Sequence, residues 1–381
     1  MQDLVSRWAT EDNMSPLCFV RGCMRTMSRI ARRAPGRFTI TWDLEDKKLM
    51  VLNHTVVIDQ YYKAVRDTLS NLSKRVDEQV LLGIQFPDSF FDLPSAQDES
   101  YDVDSIGFGL FSFSANHSDN QPTPAAFFLE KLCQQQNICY RDGDEIIWNH
   151  DKLNQWFLDI SAIWSEALVF MHLLTLPARG SEMIIWQHSN SVDGPRHLFF
   201  SKILNTLITQ SSYNKTTAIT GLYKYILRPI PVPLAIILVK LLRIVRPVET
   251  LAFASQVAVS DKAAIHHIYS TYMFVSNGKV WDRDKLSTAL KSWFTQNLQV
   301  PFGLALHRHF AQALQRKFLT KRREDQMDAI ANQGFGHGQE VASLNYARES
   351  CDLNIDSVAR QMMERVGAKW IQMHGISLSI T

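Results

Sequence analysis

DKLNQWFLDISAIWSEALVFMHLLTL, residues Asp151 to Leu176, decides the fold class. Trp156, Ile160, Ile163, Ala167, Phe170 and Leu174 recur at alternating steps of four and three, the spacing that lines one face of an α-helix. The helix expected here is long and apolar, and it runs directly into Pro177-Ala178-Arg179. Helical patterns recur on both sides of it. Upstream they cover Ala125 to Gln136 and Asp59 to Leu82, the latter with Tyr62, Val65, Leu69, Leu72, Val76 and Val80 in step. Downstream they cover Pro233 to Arg246, Asp284 to Gln296 and Phe302 to Lys321, then continue toward the C-terminus. Strand-like runs are few. Arg37 to Trp42 and Leu49 to Ile58 alternate and read as a hairpin, and Arg196 to Thr209 and Thr217 to Leu227 flank a turn at Ser211 to Lys215. The fold class expected is mainly α with a small β-sheet.

On this reading the chain opens with a mixed helical module over 1–84, where Ser15-Pro16 starts a helix whose apolar and basic residues run to Arg33. Residues 85–124 break the periodicity with Pro, Ser, Asp, Asn and Gly, and they carry Phe86, Phe90, Phe91, Tyr101, Phe108, Phe111 and Phe113. Such a loop is either a docking segment or a stretch folded down onto the body. A connecting helical segment (125–149), a helix-rich body (150–360) and a C-terminal tail or helix (361–381) complete the division.

The 381 residues are 46% hydrophobic and 20% charged, with a formal net charge of only +2. That is the composition of an ordinary globular protein, and bulk charge alone does not point to nucleic acid. Local clusters do exist. Arg25, Arg29, Arg32, Arg33 and Arg37 form one; Arg308, Arg316, Lys317, Lys321, Arg322 and Arg323 form another. Either also reads as a solvated helix face. Five cysteines without a CxxC pair argue against a disulfide framework and a zinc site, and fit a reducing compartment. Pro229 to Val245 is apolar but interrupted by Lys240 and Arg243. It is too short to cross a bilayer, so no membrane association is expected. The N-terminus carries no signal pattern, so a cytosolic or nuclear protein is expected.

Four segments carry chemistry. Arg179 lies in LPARGSEM with Glu182 three residues on, Lys215 lies in SYNKTT, and Arg308 lies in LALHRHFAQAL between His307 and His309. GFGHGQEVASLNYARES then supplies His337 and, nine residues later, Tyr346. Taken singly, Arg179 reads as a helix-end cap paired with Glu182, Lys215 as a hairpin tip, and Tyr346 as a helix residue. Together, in the order Arg, Lys, Arg, His, Tyr, they match one task. A phosphodiester repels nucleophiles and has a poor leaving group. An enzyme must therefore supply positive charge, a nucleophile and a proton. Two guanidinium forks stay charged and match phosphate oxygens bidentately.

This set resembles the active site of the tyrosine recombinases of the lambda-integrase type, in particular the Crypton-type recombinases of fungal mobile elements, over about residues 150–360. The resemblance implies a helix-rich catalytic domain with a small three-stranded sheet, behind an N-terminal α+β module. It implies Tyr346 as nucleophile, forming a 3′-phosphotyrosyl intermediate. Arg179, Arg308 and His337 hold the phosphate, and Lys215 is the general acid. Glu182, His307 and His309 stand in support, and Arg316, Lys317, Lys321, Arg322 and Arg323 are candidates for further DNA-phosphate contacts. The implied partner is double-stranded DNA, engaged by a homodimer or tetramer in the nucleus, with no cofactor or metal. The chain departs from the family at Ala305, where many members place a histidine three residues before the second arginine. Three other readings remain. The chain is a retired recombinase kept for DNA binding, a region related to telomere-linked helicases, or a type IB topoisomerase. It contains no GxxxxGK[ST] loop for ATP.

Overall fold

The computed structural model describes residues 16–33, 40–91, 105–111, 122–211, 226–319 and 357–378. The chain forms two compact units, 1–55 and 56–381. The first holds helix α1 (Pro16–Arg33) and antiparallel strands β1 (Ile40–Trp42) and β2 (Lys48–Val51). A third strand, β3 (His54–Val57), runs over the boundary. The expected hairpin is thus a three-stranded sheet, because Leu52 takes a positive φ of 56° and splits the second run in two. The helix expected over Asp59 to Leu82 lies in the second unit.

In that unit α2 (Ile58–Arg75) continues through a π-helical turn, Val76–Val80, and stops where Leu82 and Gly83 turn to positive φ. Its inner stripe is Tyr61, Val65, Leu69, Leu72, Val76 and Val80; Tyr61 is fully buried where the periodicity suggested Tyr62. Helix α3 (Pro124–Gln135) is capped by Thr123, whose hydroxyl accepts the Ala126 amide at 3.1 Å. The connecting segment after it is not helical throughout. Strands β4 (Cys139–Asp142) and β5 (Glu145–Trp148) pair across Gly143, which takes φ 59° in a two-residue turn that needs it. Cys133 and Cys139 are buried free thiols 3.6 Å apart.

Helix α4 (His150–Leu174) is the axis of the unit. Asn149 caps it by accepting the Lys152 amide at 3.3 Å. It is long and apolar enough to cross a membrane, yet Trp156, Ile160, Ile163, Trp164, Leu168, Phe170 and Leu174 are buried inside the protein, as a core helix requires. It packs on α2 and on two later helices, α6 (Val232–Val239) and α9 (Asp284–Leu298). Between α4 and α6 lies an antiparallel sheet of β6 (Leu198–Ser201), β7 (Thr206–Ser211) and β8 (Ile226–Pro229), in the order β6-β7-β8. The run expected as one strand over 196–209 is two, because Asn205 takes φ 50° between them.

Helix α6 passes through a π-helical stretch, Lys240–Val245, into α7 (Arg246–Ser255), against which α8 (Lys262–Thr271) packs. A minimal hairpin, β9 (Val275–Ser276) and β10 (Lys279–Val280), precedes α9. Helix α10 (Leu304–Leu314), extended by Gln315–Leu319, and α11 (Ser357–Met373) close the unit. The described parts of the aromatic loop lie on this body. Phe86 and Phe90 pack against Phe127, Leu110 is buried, and the Phe108 ring sits 5.2 Å beneath the Arg196 guanidinium.

Helix α11 reaches β8 through Gly367. A Cβ there would stand 2.3 Å from Cδ of Pro229. Gly367→Ala is therefore expected to lower stability by about 1–3 kcal/mol, as overpacking does. A urea midpoint equal to that of the parent protein would show that the helix shifts freely.

Candidate functional site

Beyond α4 the backbone turns at Pro177 and becomes extended at Arg179, which N-caps a single helical turn, α5 (Gly180–Met183). Glu182 closes this turn. Its Oε2 accepts the Arg179 backbone amide and its Oε1 accepts Nη1 of Arg179, both at 3.4 Å. Glu182 is 2% exposed, so its charge must be compensated inside the protein. The second compensating cation is Arg228 of β8, which is fully buried and places Nη2 4.0 Å from Oε2 of Glu182. Arg228 also donates from Nε to the Leu176 carbonyl at 2.7 Å and from Nη1 to Ser211 Oγ at 3.5 Å. It thereby ties the sheet to the segment that delivers Arg179.

Gly180 brings in the third element. A Cβ on it would lie 2.9 Å from Cδ2 of Leu304, so the turn rests closely against the start of α10. Arg308 stands one helical turn further along the same face. Burial holds the Arg308 guanidinium below its usual pKa, the Arg179 charge lowers it further, and the Glu182 carboxylate raises it. Arg308 in turn bears on Arg228, which burial pushes down to about 10, so Arg228 stays charged at neutral pH. The result is one cluster of three guanidinium groups around one carboxylate. Arg228 and Glu182 are its interior brace, and Arg179 and Arg308 are its partly exposed members. Excess positive charge at a partly buried cluster attracts an anion.

Behind the cluster lie two buried imidazoles. The rings of His172 on α4 and His307 on α10 are 4.9 Å apart, and among the described residues neither has a hydrogen-bond partner. His307 faces the core, against Phe294, rather than the partly exposed arginines. Burial and the charges of neighbouring groups hold both well below the usual histidine pKa, His307 at about 3. His309, on another side of α10, is half-buried and is lowered by burial, then by Arg308 and Arg316. Ala305 is exposed. Arg316 and Lys317 are exposed beyond the end of α10. Lys215, His337, Tyr346, Lys321, Arg322 and Arg323 lie outside the described residues.

The structure thus brings together Arg179, Glu182 and Arg308, and adds Arg228 and His172, which the sequence reading passed over. Arg228 did leave a signal, as a lone arginine within the apolar run Ile226-Leu227-Arg228-Pro229-Ile230. A charge inside a fully buried strand persists only with a buried partner. Among the described residues no group of three or more His, Cys, Asp or Glu side chains is placed to hold a metal ion. No family model and no solved structure matches the chain at a significant level.

The buried histidines give the fold a pH dependence. His188, His197 and His374 are held by burial at about 4, and His172 and His307 are also lowered. Each takes up its proton more readily unfolded, near pH 6.5, than folded. Their contribution is therefore complete above about pH 6.5 and is lost as pH falls toward the folded values, by up to about 1.4 kcal/mol per pH unit for each histidine. Glu249, raised by burial to about 7 beside Arg246, has the opposite slope but is a single group. The urea midpoint is expected to drop steadily from pH 6.5 to 4.5. A flat or rising midpoint would show that these imidazoles are solvated, or take up their protons as readily folded as unfolded.

Proposed function

We propose that the protein cleaves and rejoins double-stranded DNA as a tyrosine-recombinase-like enzyme, through a 3′-phosphotyrosyl intermediate. The observation that carries this reading is the convergence of Arg179 and Arg308, 129 positions apart in sequence, around Glu182. Two partly exposed guanidinium groups match the two non-bridging oxygens of a phosphodiester. They neutralise the charge that develops when a nucleophile adds to phosphorus. In the step proposed, the Tyr346 phenol gives up its proton to solvent, its oxygen attacks phosphorus, the phosphotyrosyl bond forms, and the bond to the 5′ oxygen breaks. Lys215 supplies the proton that the departing 5′ oxygen takes up, and His337 donates to a phosphate oxygen. The reverse step rejoins the strand with no net change in bond energy, so no nucleotide is consumed. DNA contacts are mainly to phosphates, with Arg316 and Lys317 as flanking candidates, and binding is salt-dependent. A DNA substrate implies a nuclear protein acting as a dimer or tetramer on its site.

The test is incubation with nicked duplexes in EDTA. The expected product is a covalent protein–DNA adduct carrying a free 5′ hydroxyl on the released strand. DNA binding without an adduct would instead fit a retired recombinase, the reading that Ala305 favours by standing where many tyrosine recombinases carry a histidine.

A further inference from the structure

Helix α1 presents its apolar side chains to solvent. Phe19, Val20, Met24, Met27 and Ile30 are between 51% and 70% exposed, and Cys23 is exposed among them. At 3.6 residues per turn Phe19, Val20, Cys23, Met24, Met27 and Ile30 share an arc of about 140°. Arg25 and Arg29 occupy the opposite arc, and the helix sequence contains no acidic residue. A helix so sorted by charge suits a partner that is both apolar and anionic.

We propose that α1 is the docking helix for an acidic protein with an apolar, methionine-lined groove, the chemistry of calcium-loaded calmodulin. Val20, Cys23, Met24 and Met27 stand at i, i+3, i+4 and i+7, the anchor spacing of a helix seated in a groove. The cations are all arginine, with no lysine. Protein interfaces are enriched in Arg, Met and aromatic residues and depleted in Lys, and arginine pairs bidentately with the carboxylates of an acidic rim. Nucleic acid alone would use the arginine arc and leave the apolar arc in water. An anionic bilayer would accept both arcs, but α1 has no Trp, Tyr or Lys, the residues that settle at headgroup level.

The experiment is titration calorimetry of the full chain with calmodulin, in calcium and in EGTA. It is run beside sedimentation with phosphatidylcholine vesicles, with and without phosphatidylserine. The result expected is a calcium-dependent complex of about micromolar affinity or tighter. Met27→Glu, and separately the pair Arg25→Glu and Arg29→Glu, are expected to weaken it more than tenfold. Met27, Arg25 and Arg29 are exposed, so these variants keep the fold. No calcium-dependent complex, or one indifferent to Met27→Glu, overturns the proposal. So does vesicle binding in place of calmodulin binding, or self-association that Met27→Glu abolishes. No arm involves DNA, so the outcome is independent of the phosphate-site reading.

Discussion

Arg308→Ala is expected to slow DNA strand cleavage by about 10²–10³-fold, the loss that follows removal of one donor aimed at developing transition-state charge. The expectation rests on the position of Arg308 beside Arg179 and Glu182 at the edge of the cluster. Stability should fall much less than activity. The Arg179 and Arg228 charges oppose that of Arg308, so its removal relieves like-charge repulsion while giving up some packing. Arg308→Lys keeps the charge but loses the planar fork, and should recover only part of the rate. The check is single-turnover cleavage of a nicked duplex, with unfolding followed on the same samples. Cleavage unchanged in Arg308→Ala removes this residue from the phosphate clamp.

Arg228→Met is expected to destabilise the fold by about 3–5 kcal/mol, the cost of breaking a buried pair from one side. The substitution fills much of the same space but takes one cation from the 2%-exposed Glu182 and leaves the Leu176 carbonyl without its 2.7 Å donor. Glu182 keeps Arg179 at 3.4 Å, which points to the lower end of that range. Arg228→Lys should fall between, because one ammonium cannot reach Leu176, Ser211 and Glu182 together. Urea unfolding measures both. A loss below about 1 kcal/mol would mean that the brace contributes little beyond a hydrophobic side chain of similar size.

Much of this arrangement was legible in the chain. The apolar stripe from Trp156 to Leu174 and the pattern around Leu304 to Leu314 have helical periods long enough to survive any context, and both form helices. The link between Arg179 and Glu182 is local, three residues apart, and so could be read directly. What sequence could not give is the depth of the cluster. Arg228 meets Glu182 only because β8 pairs with β7 in the register that sets Arg228 opposite Thr209. Such a pairing depends on the whole sheet. His172 and His307 are likewise 135 positions apart in sequence, and only the packing of the helices brings their rings to 4.9 Å. The β4–β5 hairpin is a different case. Asp142-Gly143 is a turn signal within a short segment, outweighed by the helical pattern that precedes it.

The most direct test of the enzyme reading is to identify the residue that becomes joined to DNA. The protein is trapped on a nicked duplex in EDTA, digested, and the nucleotide-bearing peptide sequenced by mass spectrometry, with Tyr346→Phe treated in parallel. The proposed chemistry requires a phosphodiester on Tyr346 and no adduct in the variant. An adduct on another residue, or one that forms equally in Tyr346→Phe, would contradict it.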